Sequence, residues 1–391
     1  MWGKIVVALC LGFLQTLSVA DTDTNRTFYN GTQREGKILN LFSIVRFPNT
    51  FCVGTNSRNG TCYTTDECTQ RGGTTAGSCA LGYGVCCTFV LGCGSTSSQN
   101  CTYFESTGTE AGSCRMKICP CNGNICQLRL DFETFVLNQP DASMATTIKN
   151  AANTAITAST QCLVDQFSVT NPGGSAPSTI CGTNSAEHMY VDSSDACNEL
   201  AFNLGSSGST VTRSWRIKVT QYSCDYNNLA PDGCTQYFFG AMTDIVQSYN
   251  FAGGHHLANQ NHLFCVRREA NKCRICWTTT AEGDFELTGA MTGANGLIKL
   301  TAACCDAGDL ADCLVLPGAV MATAAEMALI KFNNGVCGGE FGTDTNMDAA
   351  ATVCSRQTPF QARFLSDGGE IVADVTNPPN GVRLAYILTD C

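Results

Sequence analysis

The feature that most constrains this chain is its cysteine content, 27 cysteines in 391 residues. Cys10 lies in an apolar N-terminal stretch that ends in small residues at Ala20, a pattern typical of a signal peptide over residues 1–20. Loss of this one cysteine leaves 26, an even number. In a chain that enters the oxidising secretory pathway, such a number predicts a framework of disulfides rather than metal thiolates.

Charge and glycosylation motifs indicate the same compartment. Asn-X-Ser/Thr sequons mark Asn25, Asn30, Asn59 and Asn100 as candidate glycosylation sites, although Cys101 stands inside the last sequon. Acidic residues outnumber basic ones by 33 to 23, and this sign repels phosphate backbones and anionic lipids. No later segment has the apolar length of a membrane span. We therefore expect a secreted, extracellular protein with no nucleic-acid partner and no membrane insertion.

Short alternating stretches predict a mostly β fold. In ICQLRLDFETFVL and in SWRIKVTQY, apolar and polar residues alternate with period two, which is typical of half-buried antiparallel strands. The side chains predicted to point inward are Leu128, Leu130, Phe132, Trp215, Ile217 and Val219. Two segments interrupt the pattern: residues 139–161 are interpreted as an inserted loop with a helical turn, and residues 319–332 as a short helix.

Composition shifts along the chain divide it into four parts after the signal peptide. We expect a flexible lead (21–45), a cysteine-rich module (46–88) and two antiparallel β-sandwiches (89–224 and 225–391). Strand candidates with Gly, Pro or Asn turns recur through the last part, as in DCLVLPG, FQARFLSDGGE and GVRLAYILTDC.

The cysteine-rich module ends in the adjacent pair of GVCC. Its cysteines are Cys52, Cys62, Cys68, Cys79, Cys86 and Cys87. A module this short needs bridges to be stable, but spacing alone cannot choose among the connectivities. The pattern resembles the clip domain of arthropod secreted proteins more than the chitin-binding peritrophin pattern, which does not end in Cys-Cys. The clip resemblance implies the pairs Cys52–Cys86, Cys62–Cys79 and Cys68–Cys87.

The remainder resembles the CUB domain, a β-sandwich binding module. LGCGS at 91–95 is similar to its opening, ICQLRLDFETFVL to a characteristic strand, and QCLVDQFSV with TICGT to its cysteine hairpin, which implies Cys162–Cys181. ADCLVLPG, VCGG and FQARFLSDGGE follow in the same order in the second unit. Most of residues 40–391 resembles arthropod secreted proteins with two CUB units, and the resemblance implies extracellular protein or glycan partners.

Many CUB domains bind calcium through a Glu and two Asp, so the resemblance implies where calcium ligands should stand. In the second unit Asp312 and Asp367 match the two Asp positions, whereas the Glu position is Thr288, with Glu286 and Asp284 nearby. Carboxylates from loops suit calcium, which prefers several hard oxygen ligands. We take Asp312 and Asp367 as a candidate Ca²⁺ site; the alternative is that both are turn residues.

The first unit departs from the calcium pattern at two of its three positions. Asp165 matches one Asp, but Asn138 stands at the Glu position and Gly205 at the second Asp. We expect no calcium there and no required cofactor elsewhere in the chain.

Enzyme motifs are incomplete. LTAACC at 300–305 resembles the protease stretch that carries the general-base His, but Cys304 stands at that position and no Gly-Asp-Ser-Gly motif supplies a nucleophile. HHLANQNH, with His255, His256 and His262, is interpreted as a solvated loop because no acidic ligand is near in sequence. CRIC (Cys273, Cys276) and CPC at 119–121 are interpreted as structural bridges rather than redox motifs.

Two functions remain open from the sequence. The first is a secreted non-enzymatic protein that binds extracellular proteins or glycans through the CUB-like units. The second is a non-catalytic regulatory component of an extracellular clip-type serine protease cascade, acting through residues 46–88. An unrecognised enzyme is a distant third, because clustered His and carboxylates in a cleft would be needed and only four His occur.

Overall fold

The computed structural model describes residues 46–107, 110–140, 147–149, 155–157, 160–206, 211–281, 283–287, 312–321, 335–337, 341, 352–368, 370–371 and 379–391. Its contacts divide the chain into two compact units, Met1–Phe89 and Val90–Cys391. The expected signal peptide, the flexible lead and the LTAACC stretch lie outside the described residues. The predicted mostly β fold is confirmed, since the described residues are built almost entirely from antiparallel strands.

The small unit is a four-stranded antiparallel sheet with one helix. Its elements are β1 (Phe51–Val53), β2 (Asn59–Tyr63), α1 (Thr65–Gln70), β3 (Thr74–Cys79) and β4 (Gly84–Leu91). The order is β1-β2-β4, with β3 also paired to β4. The hydroxyl of Thr64 caps α1 by accepting the Glu67 N–H at 3.2 Å, which satisfies one of the free amides of the first turn.

Three disulfides cross this small sheet. They join Cys52 to Cys86, Cys62 to Cys79 and Cys68 to Cys87, which are the pairs that the clip resemblance implies. Cys68 is the buried residue of α1, so its bridge attaches the helix to β4. The apolar cluster around Phe89 is too small to stabilise this unit alone, and the disulfides supply the additional stability.

The first half of the large unit is a β-sandwich. Its strands are β5 (Thr96–Ser97), β6 (Thr102–Thr107), β7 (Gly112–Ile118), β8 (Ile125–Val136), β9 (Thr147–Lys149), β10 (Ala155–Thr157), β11 (Asp165–Val169), β12 (His188–Asp192), β13 (Asn198–Leu204) and β14 (Ser214–Ser223). One layer runs β6-β14-β8-β12 and the other β11-β13-β7-β5. The core between them contains the inward side chains predicted from β8 and β14, all at most 1% exposed.

The second half repeats this two-layer plan. Its strands are β15 (Gln236–Phe238), β16 (Thr243–Gln247), β17 (Asn261–Val266), β18 (Lys272–Thr278), β19 (Phe285–Glu286), β20 (Cys313–Val315), β21 (Ala319–Met321), β22 (Gly335–Val336), β23 (Thr352–Ser355), β24 (Phe360–Leu365), β25 (Glu370–Ile371) and β26 (Gly381–Asp390). The layers are β15-β17-β24-β20-β22 and β16-β26-β18-β23-β21. Trp277, Phe264, Phe364 and Tyr386 fill the space between them.

Two segments differ from the sequence prediction. Within 139–161, the described residues form the hairpin β9–β10, to which β25 adds a third strand. Residues Ala319–Met321 are strand β21 rather than the start of a helix, because they pair with β23. Residues 322–334 lie outside the described residues.

The two sandwiches share one unit because side chains of the second half complete the packing of the first. Tyr249 and Leu257 belong to the core of the first sandwich. A further cluster contains Tyr190 and Tyr222 of the first half with Tyr237 and Leu263 of the second. The disulfide Cys234–Cys265 lies in this cluster and fixes the segment that joins the two halves.

Candidate functional site

In the first sandwich, the three positions of the calcium pattern lie close together beside a fourth residue, Arg213. They are Asn138, Asp165 and Gly205. The Arg213 guanidinium donates two hydrogen bonds to the Asp165 carboxylate, from Nε to Oδ2 at 2.9 Å and from Nη2 to Oδ1 at 2.8 Å. Neither side chain exceeds 5% exposure. This is the paired, planar geometry in which arginine binds a carboxylate most strongly.

Backbone and amide donors satisfy the rest of the Asp165 carboxylate. The Asn138 N–H and its side-chain amide donate to Oδ2 at 2.9 and 2.8 Å, and the Gly205 N–H donates to Oδ1 at 3.2 Å. The Gly205 carbonyl in turn accepts from Arg213 Nη2 at 2.6 Å. A calcium ion needs several oxygen ligands, but here the single carboxylate already faces five N–H donors. These residues do not fit calcium, because the chain supplies its own cation.

In the second sandwich, Asp312 and Asp367 are also brought together. The Asp367 N–H donates to Asp312 Oδ1 at 2.8 Å, and His256 Nε2 lies 3.1 Å from Asp312 Oδ2. Asp312 is 3% exposed and His256 fully buried. The expectation that His256 lies in a solvated loop is wrong: its acidic partner, distant in sequence, belongs to this sandwich.

The neighbouring carboxylates are engaged elsewhere. Asp284 accepts bonds from Thr280, Ala281 and Arg383, and Glu286 faces the Asn380 N–H. Thr288 lies outside the described residues. Within the described ranges, no group of three or more His, Cys, Asp or Glu side chains could hold a metal ion. The described residues therefore do not complete a calcium site, and calcium binding through Asp312 and Asp367 stays a prediction.

His188 and His262 are also packed inside the protein, whereas His255 is half-buried. His262 stacks on Tyr249 with ring centroids 4.5 Å apart, and burial lowers its pKa to about 3. The Tyr237 N–H donates to His188 Nε2 at 3.1 Å, and burial, followed by the charge of Arg129, lowers the pKa of His188 well below its usual range. Both imidazoles are therefore neutral near pH 7 and face no solvent, which suits packing rather than proton transfer to a substrate.

The cysteine motifs are structural, with one exception. Cys273 is bridged to Cys391 and Cys276 to Cys354, both from strand β18. In the CPC motif Cys119 is bridged to Cys197, whereas Cys121 carries an exposed free thiol, so the expectation of a bridge at Cys121 is wrong. Although the residue is exposed, partial desolvation of its sulfur raises the pKa of this thiol, which lowers its thiolate fraction and hence its reactivity.

The hairpin and sequon positions have defined surroundings. Cys162 is joined to Cys181, the pair that the CUB resemblance implies. The Asn100 side chain is half-buried and pairs with the Gln221 backbone, donating to its carbonyl at 3.0 Å and accepting its N–H at 2.8 Å. Asn59 lies half-buried in β2, and Asn25 and Asn30 lie outside the described residues. Glycosylation at all four positions stays a prediction.

Sequence reasoning missed Glu187, a carboxylate at the junction of the two sandwiches. It accepts bonds from the side-chain amides of Gln236 at 2.7 Å and Gln247 at 2.6 Å. Burial raises its pKa to about 7, although both amides act in the opposite direction. No sequence signal could have found this group, because its partners come from two strands about fifty residues or more away.

The comparisons with known proteins agree with the fold of the second half. Residues 231–389 match the family model of the animal CUB domain. No curated protein matches the sequence.

The solved structures that resemble the chain include the following three. The CUB1-EGF-CUB2 domains of rat MASP-1 align at 10% identity with a TM-score of 0.25, covering 76% of this chain and 99% of that one. The CUB1-EGF-CUB2 domain of human MASP-1/3 aligns at 12% identity with a TM-score of 0.21, covering 73% and 99%. The full extracellular region of zebrafish Gpr126/Adgrg6 aligns at 14% identity with a TM-score of 0.23, covering 78% and 33%.

These findings bear on the second half of the large unit. In the residues that the structure describes, no helix has both the length and the apolar character needed to cross a membrane. Abundant disulfides accompany the CUB match, and both are typical of extracellular proteins. Residues 231–389 are thus similar to animal CUB domains, which are typically non-catalytic modules of protein–protein interaction.

Proposed function

We propose that this protein is a secreted, non-enzymatic interaction protein that binds extracellular proteins or glycans through its CUB-like sandwiches. The match of residues 231–389 to the animal CUB domain carries this proposal. The acidic balance of the chain, a net charge of −10, disfavours nucleic acid and anionic lipid as partners.

The internal use of polar groups supports a binding role over catalysis. Asp165, His188, His256 and His262 are buried and face protein groups. A general acid or base must reach substrate, and these groups do not present themselves to solvent. We expect the purified protein to leave general protease substrates uncut; cleavage that persists through repurification contradicts the non-enzymatic assignment.

A second candidate is the regulatory role in a clip-type protease cascade, which one feature of the small unit favours. Ala80 and Leu81 both have positive φ, 47° and 56°, a conformation that costs non-glycine residues free energy. This turn between β3 and β4 exposes Leu81 at 99% and Tyr83 at 64%. A strained turn that exposes a leucine suits docking into an apolar pocket of a partner.

Capture from the extracellular fluid of the source tests both candidates. Tagged full-length protein is compared with a Leu81→Ser/Tyr83→Ser variant, each with calcium and with chelator. Capture of the same partner by both proteins is expected from the proposal, whereas loss in the variant favours the cascade candidate. Capture only with calcium supports a calcium site at Asp312 and Asp367. In that case an Asp312→Asn/Asp367→Asn variant should no longer capture the partner. Failure to capture any partner contradicts both candidates.

A further inference from the structure

The outward side of one sheet in the second sandwich carries an unusual row of side chains. The pairing registers align Thr243, Ile387, Cys276, Cys354 and Val320 across five neighbouring strands, β16, β26, β18, β23 and β21. Alternate residues of these strands, such as Tyr386 and Trp277, point into the core. Since successive side chains of a strand point to opposite sides, the row faces away from the core.

The row is mostly apolar, and its outer members are exposed, whereas the cysteines in its middle are buried, with Cys276 4% and Cys354 1% exposed. Ile387 is 47% exposed and Val320 42%, and the disulfide Cys276–Cys354 lies between them. Ile245 is on the same side, two residues further along β16, and is 39% exposed. Ile245, Val320 and Ile387 are three of the eight large apolar side chains exposed in the described residues.

Folding of the sandwich does not require these residues to be apolar. An antiparallel sheet with one solvated side normally alternates apolar and polar residues, yet Tyr386–Ile387–Leu388 is apolar at the outward position as well. Contiguous apolar surface on a soluble protein commonly marks an interaction site.

Two arginines border the row on one side. Arg274 lies one outward position from Cys276 along β18, and its Nη2 is 2.8 Å from Cys354 Sγ. Arg356 is exposed and is the first residue after β23. Among the ion pairs of the described residues, neither arginine has a carboxylate partner, whereas Lys272 nearby is paired with Asp390.

We propose that this surface, the Ile387 face (Ile245, Arg274, Val320, Arg356 and Ile387), docks an extracellular protein segment that presents apolar side chains beside carboxylates. The proposal rests on the proposed binding function and names its surface and partner chemistry. The apolar row supplies buried area, and the arginines select carboxylates through charge-assisted bonds.

Other occupants match this chemistry less well. A second copy of the same face would bring arginines against arginines, because the outward residues of the row include no carboxylate. A lipid surface attractive to arginines would be anionic, and the net charge of −10 opposes approach to it.

The chemistry of the face is tested with 8-anilinonaphthalene-1-sulfonate, a dye that is both apolar and anionic. We expect wild-type protein to enhance its fluorescence, and Ile387→Thr and Arg274→Gln/Arg356→Gln each to weaken dye affinity at least threefold. The matched control Val53→Thr alters an exposed apolar strand residue of the small unit and should leave affinity unchanged. Misfolding would raise dye fluorescence, so it cannot imitate the expected loss. Equal affinity in all four proteins overturns the proposal.

The partner is tested by photo-crosslinking with p-benzoylphenylalanine placed at Ile387 or at Val320 in the full chain, and at Val53 as the control. After incubation with the source's extracellular fluid, we expect positions 387 and 320 to crosslink to one partner peptide that contains Asp or Glu beside apolar residues. Arg274→Gln/Arg356→Gln should reduce the yield at least fivefold. Crosslinks to another copy of this chain, or binding of the face to phosphatidylserine vesicles instead, overturn the proposal.

One result separates this inference from the proposed function. If the protein captures a partner but neither face position crosslinks to it, the Ile387 face is refuted while the binding function stands. If no partner is captured by any form of the protein, the binding function itself fails.

Discussion

Arg213 shows how a single side chain can replace a bound cation. The positions near it, Asn138, Asp165 and Gly205, are those that the calcium pattern identified, and the donors of Asn138, Gly205 and Arg213 converge on the Asp165 carboxylate. A fixed organic cation needs no dissolved ion, so the edge of the first sandwich should be ordered in the absence of calcium. Its stability depends instead on one ion pair buried from water.

Removing the guanidinium should therefore destabilise the large unit. We expect Arg213→Met to lower the free energy of unfolding by about 3–5 kcal/mol, since the buried carboxylate of Asp165 loses its partner. Asp165→Asn/Arg213→Met should recover part of that loss. Urea unfolding followed by tryptophan fluorescence measures both variants. Arg115→Met, which breaks an exposed pair with Glu199, is the control and should cost less than about 1 kcal/mol.

Glu187 gives the protein a pH dependence of opposite sign to that of an ordinary salt-bridged acid. Its pKa is raised to about 7 in the folded state, so the folded protein binds a proton more tightly than the unfolded chain between pH 4.5 and 7. Stability from this group is greatest below pH 4.5 and falls as pH rises to 7.

The Glu187→Gln variant should lack this decrease in stability with rising pH, because glutamine cannot ionise. The buried His188 and His262 have lowered pKa values and act in the opposite sense, losing stability as pH falls below 6.5. The difference in unfolding free energy between wild type and Glu187→Gln, measured from pH 5 to 8, isolates Glu187. A difference that does not change with pH contradicts the raised pKa.

At the same scale, sequence reasoning found positions but not partners. The CUB resemblance located Asp165, Asp312 and Asp367, yet it gave no sign of Arg213 or His256 as their partners. These partners lie 48 and 56 residues away from Asp165 and Asp312, and only the folded chain brings them together. Local sequence context could not show that His256 is buried.

Strand elements were predictable where alternation was strong. The inward sides of β8 and β14 follow directly from the sequence pattern. Their outward side was expected to be solvated, but Lys218 is only 6% exposed and Arg129 lies over the Tyr190 ring at 5.6 Å. Alternation identifies which residues share a side; it does not identify what other segment covers that side.

The hairpin β9–β10 was missed for a related reason. Its Ala- and Thr-rich segment has no strong period, and its third strand, β25, lies more than 200 residues further along the chain. Long-range pairing can make a strand of a sequence whose local preference is weak. The segment was therefore interpreted as a loop.

Strand ends are also held by side chains, and Asn100 is an example that can be tested. Its side-chain amide forms hydrogen bonds with both the carbonyl and the N–H of Gln221, next to where β6 and β14 pair. We expect Asn100→Ala to lower the free energy of unfolding by about 1–3 kcal/mol, since it leaves partly buried backbone groups unpaired. Asn122→Ala removes an exposed turn amide and is the control. Equal effects of the two variants in chemical denaturation would refute this role for Asn100.

At the scale of the whole molecule, the two sandwiches of the large unit are bound together by shared side chains. Tyr249 enters the first core, and its hydroxyl donates to the His188 carbonyl at 2.9 Å. Asn250, at φ 63°, accepts the Thr183 N–H at 2.8 Å, and its own N–H donates to Asn184 Oδ1 at 2.7 Å. The sequence predicted two separate domains here, because no local pattern reveals the contacts between the two sandwiches.

These contacts predict that the two sandwiches unfold together. In calorimetry we expect one transition for Val90–Cys391, because loss of either sandwich would strip the other of Tyr249, Asn250 or their partners. Tyr249→Ala should lower the free energy of unfolding by about 3–5 kcal/mol, the cost of deleting a fully buried aromatic ring. It should also begin to separate the transition into two, since it removes part of the coupling. Two transitions already present in the wild type would show that each sandwich is stable alone.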